Sequence, residues 1–436
     1  MIGPFPWDPF PPGEPDPKGP DPVHSLAYRS AVSAADAYHA VRQALRRDAG
    51  TLRVGNRFVP DGRYREVAFL AFGNAANSMA LGALHALGNR LTQGFLAGPE
   101  PVSDEVPFRG VTIAPGWPGD PAAESVVAAA TELGGELAES DLLVILLSPG
   151  ALRALAAPPP GASPGEFADL LAQAHARGAT GREVGLLARV LGTGGVGGRL
   201  AAAVPRADVV TLVVERGDGA TVLGGGPTVP VTEAERTEAR AVLARTGLAR
   251  PVPPVEDATP LASGATDRPS HVRPVVVTGP ADALRAASDS VFDKGWTVRL
   301  AFLELRDDPD TAADRFLDQS ETLYAGEALT RESRTKGVAT FAMTTLGLPE
   351  GVTEGPALGR FLTRARDRLR RREMSVGLFR TAGDPAPRPE FPPGAVVGAP
   401  TEPDEGAPRD RARAVRMRPG ITDVGCLAVA LFPRPE

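Results

Sequence analysis

A strand, a glycine and the first turn of a helix can together hold an anion, and FLAFGNAANSMA (69–80) has that form. Apolar or small residues recur at 76, 79, 80, 83, 84 and 87, which is helical spacing, so Asn74 or Ala75 falls at the N-cap or first turn. The unpaired N–H groups there and the helix dipole favour a negative group. Asn is also among the best capping residues, its side-chain oxygen accepting a first-turn N–H. Locally, an anion site at Gly73–Asn74 and an ordinary capped helix are equally physical. LGTGGVGGRLA sets Gly192, Gly194 and Gly197 in G-x-G-x-x-G spacing, but a helical pattern precedes it where a dinucleotide fold needs a strand. It reads as a flexible loop. GRFLTRARDRLRRRE (359–373) carries seven arginines against two acids. Without interleaved aromatics or a second basic element, it reads as a solvated helix face. The histidines, at 24, 39, 85, 175 and 271, have no metal-ligand spacing.

The elements that must position these residues alternate. VAFLAFG (67–73), GVTIAPG (110–116), DLLVILLSPG (141–150) and DVVTLVVERG (208–217) are short apolar runs ending in turn residues. Helical stretches separate them, including one expected to run from Ser25 to Arg47. Continuous apolar strands between helices predict a mostly parallel sheet covered on both faces. A Pro/Ala/Ser-rich stretch near 250–273 marks a boundary, and PVVVTG (274–279) then opens a second α/β unit. The expected organisation is a Pro-rich tail (1–23), an N-terminal domain (24–249), the linker (250–273) and a C-terminal domain (274–436). The fold class is α/β, two domains, each with a mostly parallel sheet flanked by helices.

A net charge of −6 excludes a global basic field for nucleic acid. No apolar run is long enough to span a membrane, and the first residues lack the basic head and apolar stretch of a signal peptide. The single cysteine, Cys426, excludes a disulfide framework or cysteine-based zinc site and makes a reducing cytoplasm the simplest setting. Only three lysines, Lys18, Lys294 and Lys336, stand among 47 Lys and Arg residues, so lysine-dependent catalysis is hard to place.

In order along the chain, the segments resemble the glycerate 2-kinase family, a DUF4147 kinase-like domain followed by a MOFRL domain. AFGNAANSMA is similar to its glycine–lysine–alanine segment, and DLLVILLSPGALRAL to its strand and serine–glycine loop. GGRLAAAVPRADVVTLVV and GDGATVLGGGPTVPVTEAE are similar to its Gly-Gly-Arg-Leu-Ala helix and aspartate loop. EGPALGRFLTRA, TAGDP and GITDVGCLAVALF resemble MOFRL segments. The resemblance implies ATP-dependent transfer of a phosphoryl group to the 2-hydroxyl of D-glycerate, with Mg²⁺, in a cleft between two domains. It carries catalytic roles onto Arg360 and Arg189. It carries cofactor-binding positions onto Gly73, Asn74, Ser148, Gly150, Asp218, Gly226, Thr228 and Asp384, and it names no metal ligand.

Departures fall on the charged and hydroxyl positions. Asn74 stands in place of the lysine, Gly116 in place of a histidine, Leu152 in place of a hydroxyl, and Pro149 lacks an N–H. Val213 and Val214 replace Ser-Asp, Phe361 replaces an asparagine, and Ala382 an aspartate. Such chemistry rests on cations and N–H cradles, and each 1.36 kcal/mol of lost stabilisation is about tenfold in rate. The expectation is a pseudoenzyme with a binding, structural or regulatory role. An active kinase on glycerate or a related hydroxy acid, using ATP and Mg²⁺, is the alternative, and a ligand-binding or differently catalytic domain using the old cleft a third. A protein partner or a second copy of the chain is the expected company, with neither nucleic acid nor membrane.

Overall fold

The computed structural model describes residues 22–114, 116–202, 204, 206–216, 225–248, 274–328, 336–346, 355–369, 374–381, 394–398, 413–414 and 426–433. All but the last two residues of the expected tail, and the whole expected linker, lie outside them. The helix expected from Ser25 to Arg47 is two helices, α1 (Pro22–Ala34) and α2 (Ala37–Ala44). The break coincides with a division of the chain into two compact units. One holds the described residues from Ala37 to Thr278; the other joins those up to Asp36 with those from Gly279 on, apart from 349–352.

In the first unit, a small antiparallel sheet over 47–60 precedes a six-stranded parallel one. Its strands are β1 (Val67–Phe72), β2 (Leu91–Gly98), β3 (Arg109–Thr112), β4 (Leu142–Leu147), β5 (Asp208–Val214) and β6 (Val275–Thr278). Their order is β6-β5-β4-β1-β2-β3, every pair parallel. VAFLAF and LLVILL are buried at every residue, as continuous apolar runs covered on two faces should be. Helices α3 (Ala76–Leu87), α4 (Ala123–Glu136), α5 (Ala151–Leu155), α6 (Pro164–Ala176), α7 (Gly181–Leu191) and α8 (Glu233–Arg245) belong to this unit. Three of them start on capping boxes, Ser163–Glu166, Thr180–Glu183 and Thr232–Glu235, which satisfy first-turn N–H groups reciprocally. The strand β6, expected to open the second domain, instead extends the first sheet: Val275, Val276 and Thr278 pair in parallel with Leu212, Val213 and Val214.

The second unit corrects one expectation. Its sheet contains β7 (Thr297–Leu305), β8 (Gly337–Thr344), β9 (Ser375–Arg380), β10 (Gly394–Gly398), β11 (Arg413–Ala414) and β12 (Cys426–Pro433), in the order β7-β8-β12-β9-β10-β11. Only β7–β8 is parallel; the other four pairings are antiparallel, so the sheet is mixed rather than mostly parallel. Helices α9 (Pro280–Phe292), α10 (Pro309–Ala328) and α11 (Gly355–Leu369) accompany it. With α10 and α11 as crossovers, β7, β8 and β9 run the same way, and the last strand inserts between β8 and β9 in the opposite sense. Apolar runs report burial on both faces, which either direction provides. The helix α1 packs along α9 in this unit, and the Tyr28 ring stacks on Phe379 at 5.0 Å. In this grouping α1 belongs with the second unit, and the first unit begins at Ala37.

Candidate functional site

The register of β1 against β4 pairs Phe72 with Leu147, which sets the next residues, Gly73 and Ser148, side by side although 75 positions apart in sequence. The order of the parallel strands reverses between β1 and β4, and crevices at the carboxyl ends of strands flanking such a reversal are where open α/β sheets take ligands. Gly73 has φ +106°, and a Cβ there would lie 2.6 Å from Ser148 Oγ and 2.8 Å from Pro149 O, so only glycine fits. The Asn74 N–H donates to Pro149 O at 2.8 Å. The Ala75 N–H donates to Ser148 Oγ at 2.9 Å, and that hydroxyl donates to Phe72 O at 3.1 Å. Ser148 is fully buried.

Asn74 does not cap the helix. The N-cap of α3 is Ala75, which has no side-chain cap. Asn74 Oδ1 instead accepts from Arg153 Nη2 at 2.6 Å, while Arg153 Nη1 donates to Ala114 O at 3.2 Å. Arg153 is 2% exposed. Gly150, at φ +89°, makes room for this pair: a Cβ would meet Arg153 Nη2 at 2.7 Å and Asn74 Oδ1 at 2.8 Å. The junction thus brings Gly73, Asn74, Ser148 and Gly150 together, and adds a cation that the sequence reading missed. Its signal was a single charged residue inside the apolar run ALRAL. A second missed group is Glu100, just past β2; burial pushes its carboxyl above the ordinary 4.5, against a hydrogen bond from Asn77.

The other expected site residues have separate surroundings. Arg189, 3% exposed, forms an ion pair with Glu235, and its Nη2 donates to Val229 O at 2.9 Å and Pro230 O at 3.1 Å. Burial pushes its guanidinium down from the ordinary value, and the charge of Glu235 opposes that. It ties α7 to the turn after the short helix Gly225–Thr228, which contains Gly226 and the buried Thr228. The glycine loop is pinned rather than loose: Thr193–Gly194 pairs with Ala156–Ala157, and the Gly195 N–H donates to Leu155 O at 3.0 Å.

Arg360 belongs to the other unit, exposed on α11 and ion-paired with Asp310 of α10, which raises its pKa. Arg364 and Arg368 repeat the pairing one and two turns on, with Asp314 at 2.8 Å and Asp318 at 2.7 Å. Arg360 and Arg364 are exposed, Arg366 and Arg368 are half-buried, and 370–373 lie outside the described residues; the described arginines at 360, 364 and 368 are matched to a row of acids. Asp218 and Asp384 lie outside the described residues. His85 bonds the Tyr38 hydroxyl at 2.8 Å, and His175 Nδ1 lies 2.9 Å from Ala179 O. No described helix is long and apolar enough to cross a membrane.

Residues 24–258 match the family described as Domain of unknown function (DUF4147). A glycerate kinase of Danio rerio is 29% identical over 205 residues, covering 43% of this chain and 40% of that protein; the match thus spans about two fifths of the relative's length. A glycerate kinase of Thermotoga maritima shares the fold with a TM-score of 0.65 and 20% identity, over 94% of this chain and 99% of that one. A Pyrococcus horikoshii OT3 protein does so with a TM-score of 0.64 and 18% identity, over 95% and 98%.

Proposed function

This chain belongs to the DUF4147 family, and from that premise we propose that it is a glycerate-kinase-like protein with impaired phosphoryl transfer, serving a binding, structural or regulatory role in the cytoplasm. We take its second unit as MOFRL-like, on the segments around Arg360 and β12. One observation carries the reading: at the strand junction, Ser148 is fully buried and its hydroxyl both accepts from Ala75 and donates to Phe72 O. A phosphate there would have to displace internal partners. Arg360 and Arg189, the expected catalytic cations, are paired with Asp310 and Glu235. Among the described residues no group of three or more His, Cys, Asp or Glu could hold a metal ion, and the neutral Asn74 offers no charge.

A second reading, an ATP-dependent kinase acting on glycerate or a related small hydroxy acid, is favoured by Arg153, whose guanidinium touches Asn74. Purified protein with Mg²⁺–ATP and D-glycerate decides between them, with phosphoglycerate formation followed by phosphorus NMR. The expected result is no turnover above the protein-free control, with no heat of ATP binding by calorimetry. Turnover that disappears in Arg153→Ala would establish the second reading instead.

A further inference from the structure

The strand β7 borders the second unit's sheet and is hydrogen-bonded to β8 alone among the described strands. It is nine residues long, whereas the other borders of the two six-stranded sheets, β3, β6 and β11, have four, four and two. Long apolar borders without proline or lysine invite pairing with another chain. Of the five large apolar side chains exposed among the described residues, Leu300 and Leu303 lie on this strand, at 50% and 57% exposure, and Phe292 ends the helix before it. The register against β8 slips between Leu300 and Phe302 and again between Phe302 and Leu305. Ala301 and Phe302 both pack on the core beneath α10, which leaves Leu300 and Leu303 turned out together.

We propose that β7 is a dimer contact with a second copy of this chain, about a two-fold axis between Ala301 and Phe302. A two-fold contact must be self-complementary, residue i meeting j while j meets i. The sequence RLAFLE (299–304) satisfies that condition in antiparallel orientation: Leu300 faces Leu303, and Arg299 faces Glu304. The charges flank the apolar pair on both sides. Within one chain Arg299 pairs with Glu327 and Glu304 with Arg306, so both are already held near the strand. The contact does not depend on whether the junction at Gly73 retains chemistry.

Sedimentation velocity of the full chain across a concentration series tests this. The wild type is expected to reach twice the chain mass. Leu303→Lys, and separately Arg299→Glu, should raise the dimer dissociation constant by about tenfold or more. Arg299→Glu combined with Glu304→Arg should restore the dimer, because the swap reproduces the opposite-charge pairs across the axis. Far-UV circular dichroism confirms folding, and the charge swap decides the matter should Leu303→Lys unfold. A wild type that stays monomeric to its solubility limit overturns the proposal. So does a dimer indifferent to these variants, or a double variant no better than Arg299→Glu alone.

Discussion

Removing the hydroxyl of Ser148 leaves the Ala75 amide without its acceptor in a position with no solvent access. Ser148→Ala is therefore expected to lose about 1–3 kcal/mol, the penalty for an unmet buried donor, read as a lower urea midpoint at unchanged slope. Glu100 offers a test with a pH signature. Its folded carboxyl titrates above 4.5 because burial disfavours the charge, so below that pH the residue is protonated folded or unfolded. As pH rises past 4.5 the unfolded chain releases its proton first, and stability falls until the folded carboxyl has also ionised. Glu100→Gln should match the wild type near pH 4 and melt higher at pH 7. The turn at Gly73 was legible from the sequence, since a glycine between an apolar strand and a helix has a steric reason. The partner of Asn74 was not: Arg153 lies 79 residues further on, and only the register of β1 on β4 brings them together. An asparagine's capping preference is a local tendency, and a buried guanidinium outcompetes it.

The pair α10 and α11 shows how two amphipathic helices exchange charge along their exposed seam. Asp310, Asp314 and Asp318 recur every fourth residue, as do Arg360, Arg364 and Arg368, so one turn of each helix matches one turn of the other. Arg368, the least exposed of the three, also donates to the Asp314 carbonyl and ion-pairs with Glu321. Arg368→Ala should cost about 1 kcal/mol, the upper range for such pairs, and more than the same change at Arg360 or Arg364. Hydrogen bonding from Arg364 holds the Asp314 carboxyl below its ordinary 3.8. Its contribution is thus present above that pH and lost as the pH falls through the folded value. Thermal melts from pH 5 to pH 2, with and without molar salt, should show a decline below pH 4 that Asp314→Asn reduces. Helix amphipathicity and strand burial were readable at this scale. Strand direction in the second sheet was not, because β12 inserts from the far end of the chain and no local pattern encodes its neighbours.

The two units are not consecutive halves of the sequence. Tyr28 and His24 of α1 pack on Phe379 and the strand around it, so the second unit is completed by residues from the opposite terminus. Tyr28, 1% exposed, fills a site that nothing near it in sequence can close. Tyr28→Ala is expected to lower stability by about 3–5 kcal/mol, as for other buried aromatics, with the loss confined to the unit containing β12. Hydrogen exchange resolved by segment would show faster opening in 279–328, 336–346 and 374–381 and little change at β1 and β4. The expected linker lies outside the described residues, the division of the chain falls instead between Thr278 and Gly279, and the apolar face of α1 looks the same whichever sheet it covers. During synthesis α1 precedes its packing partner α9 by about 250 residues and Phe379 by about 350. At about 5–20 residues per second Tyr28 waits roughly 18–70 s for the ring it stacks on. For that interval the nascent chain carries a helix whose apolar face is incompletely covered, open to chaperones and to the finished second unit of a neighbouring polypeptide.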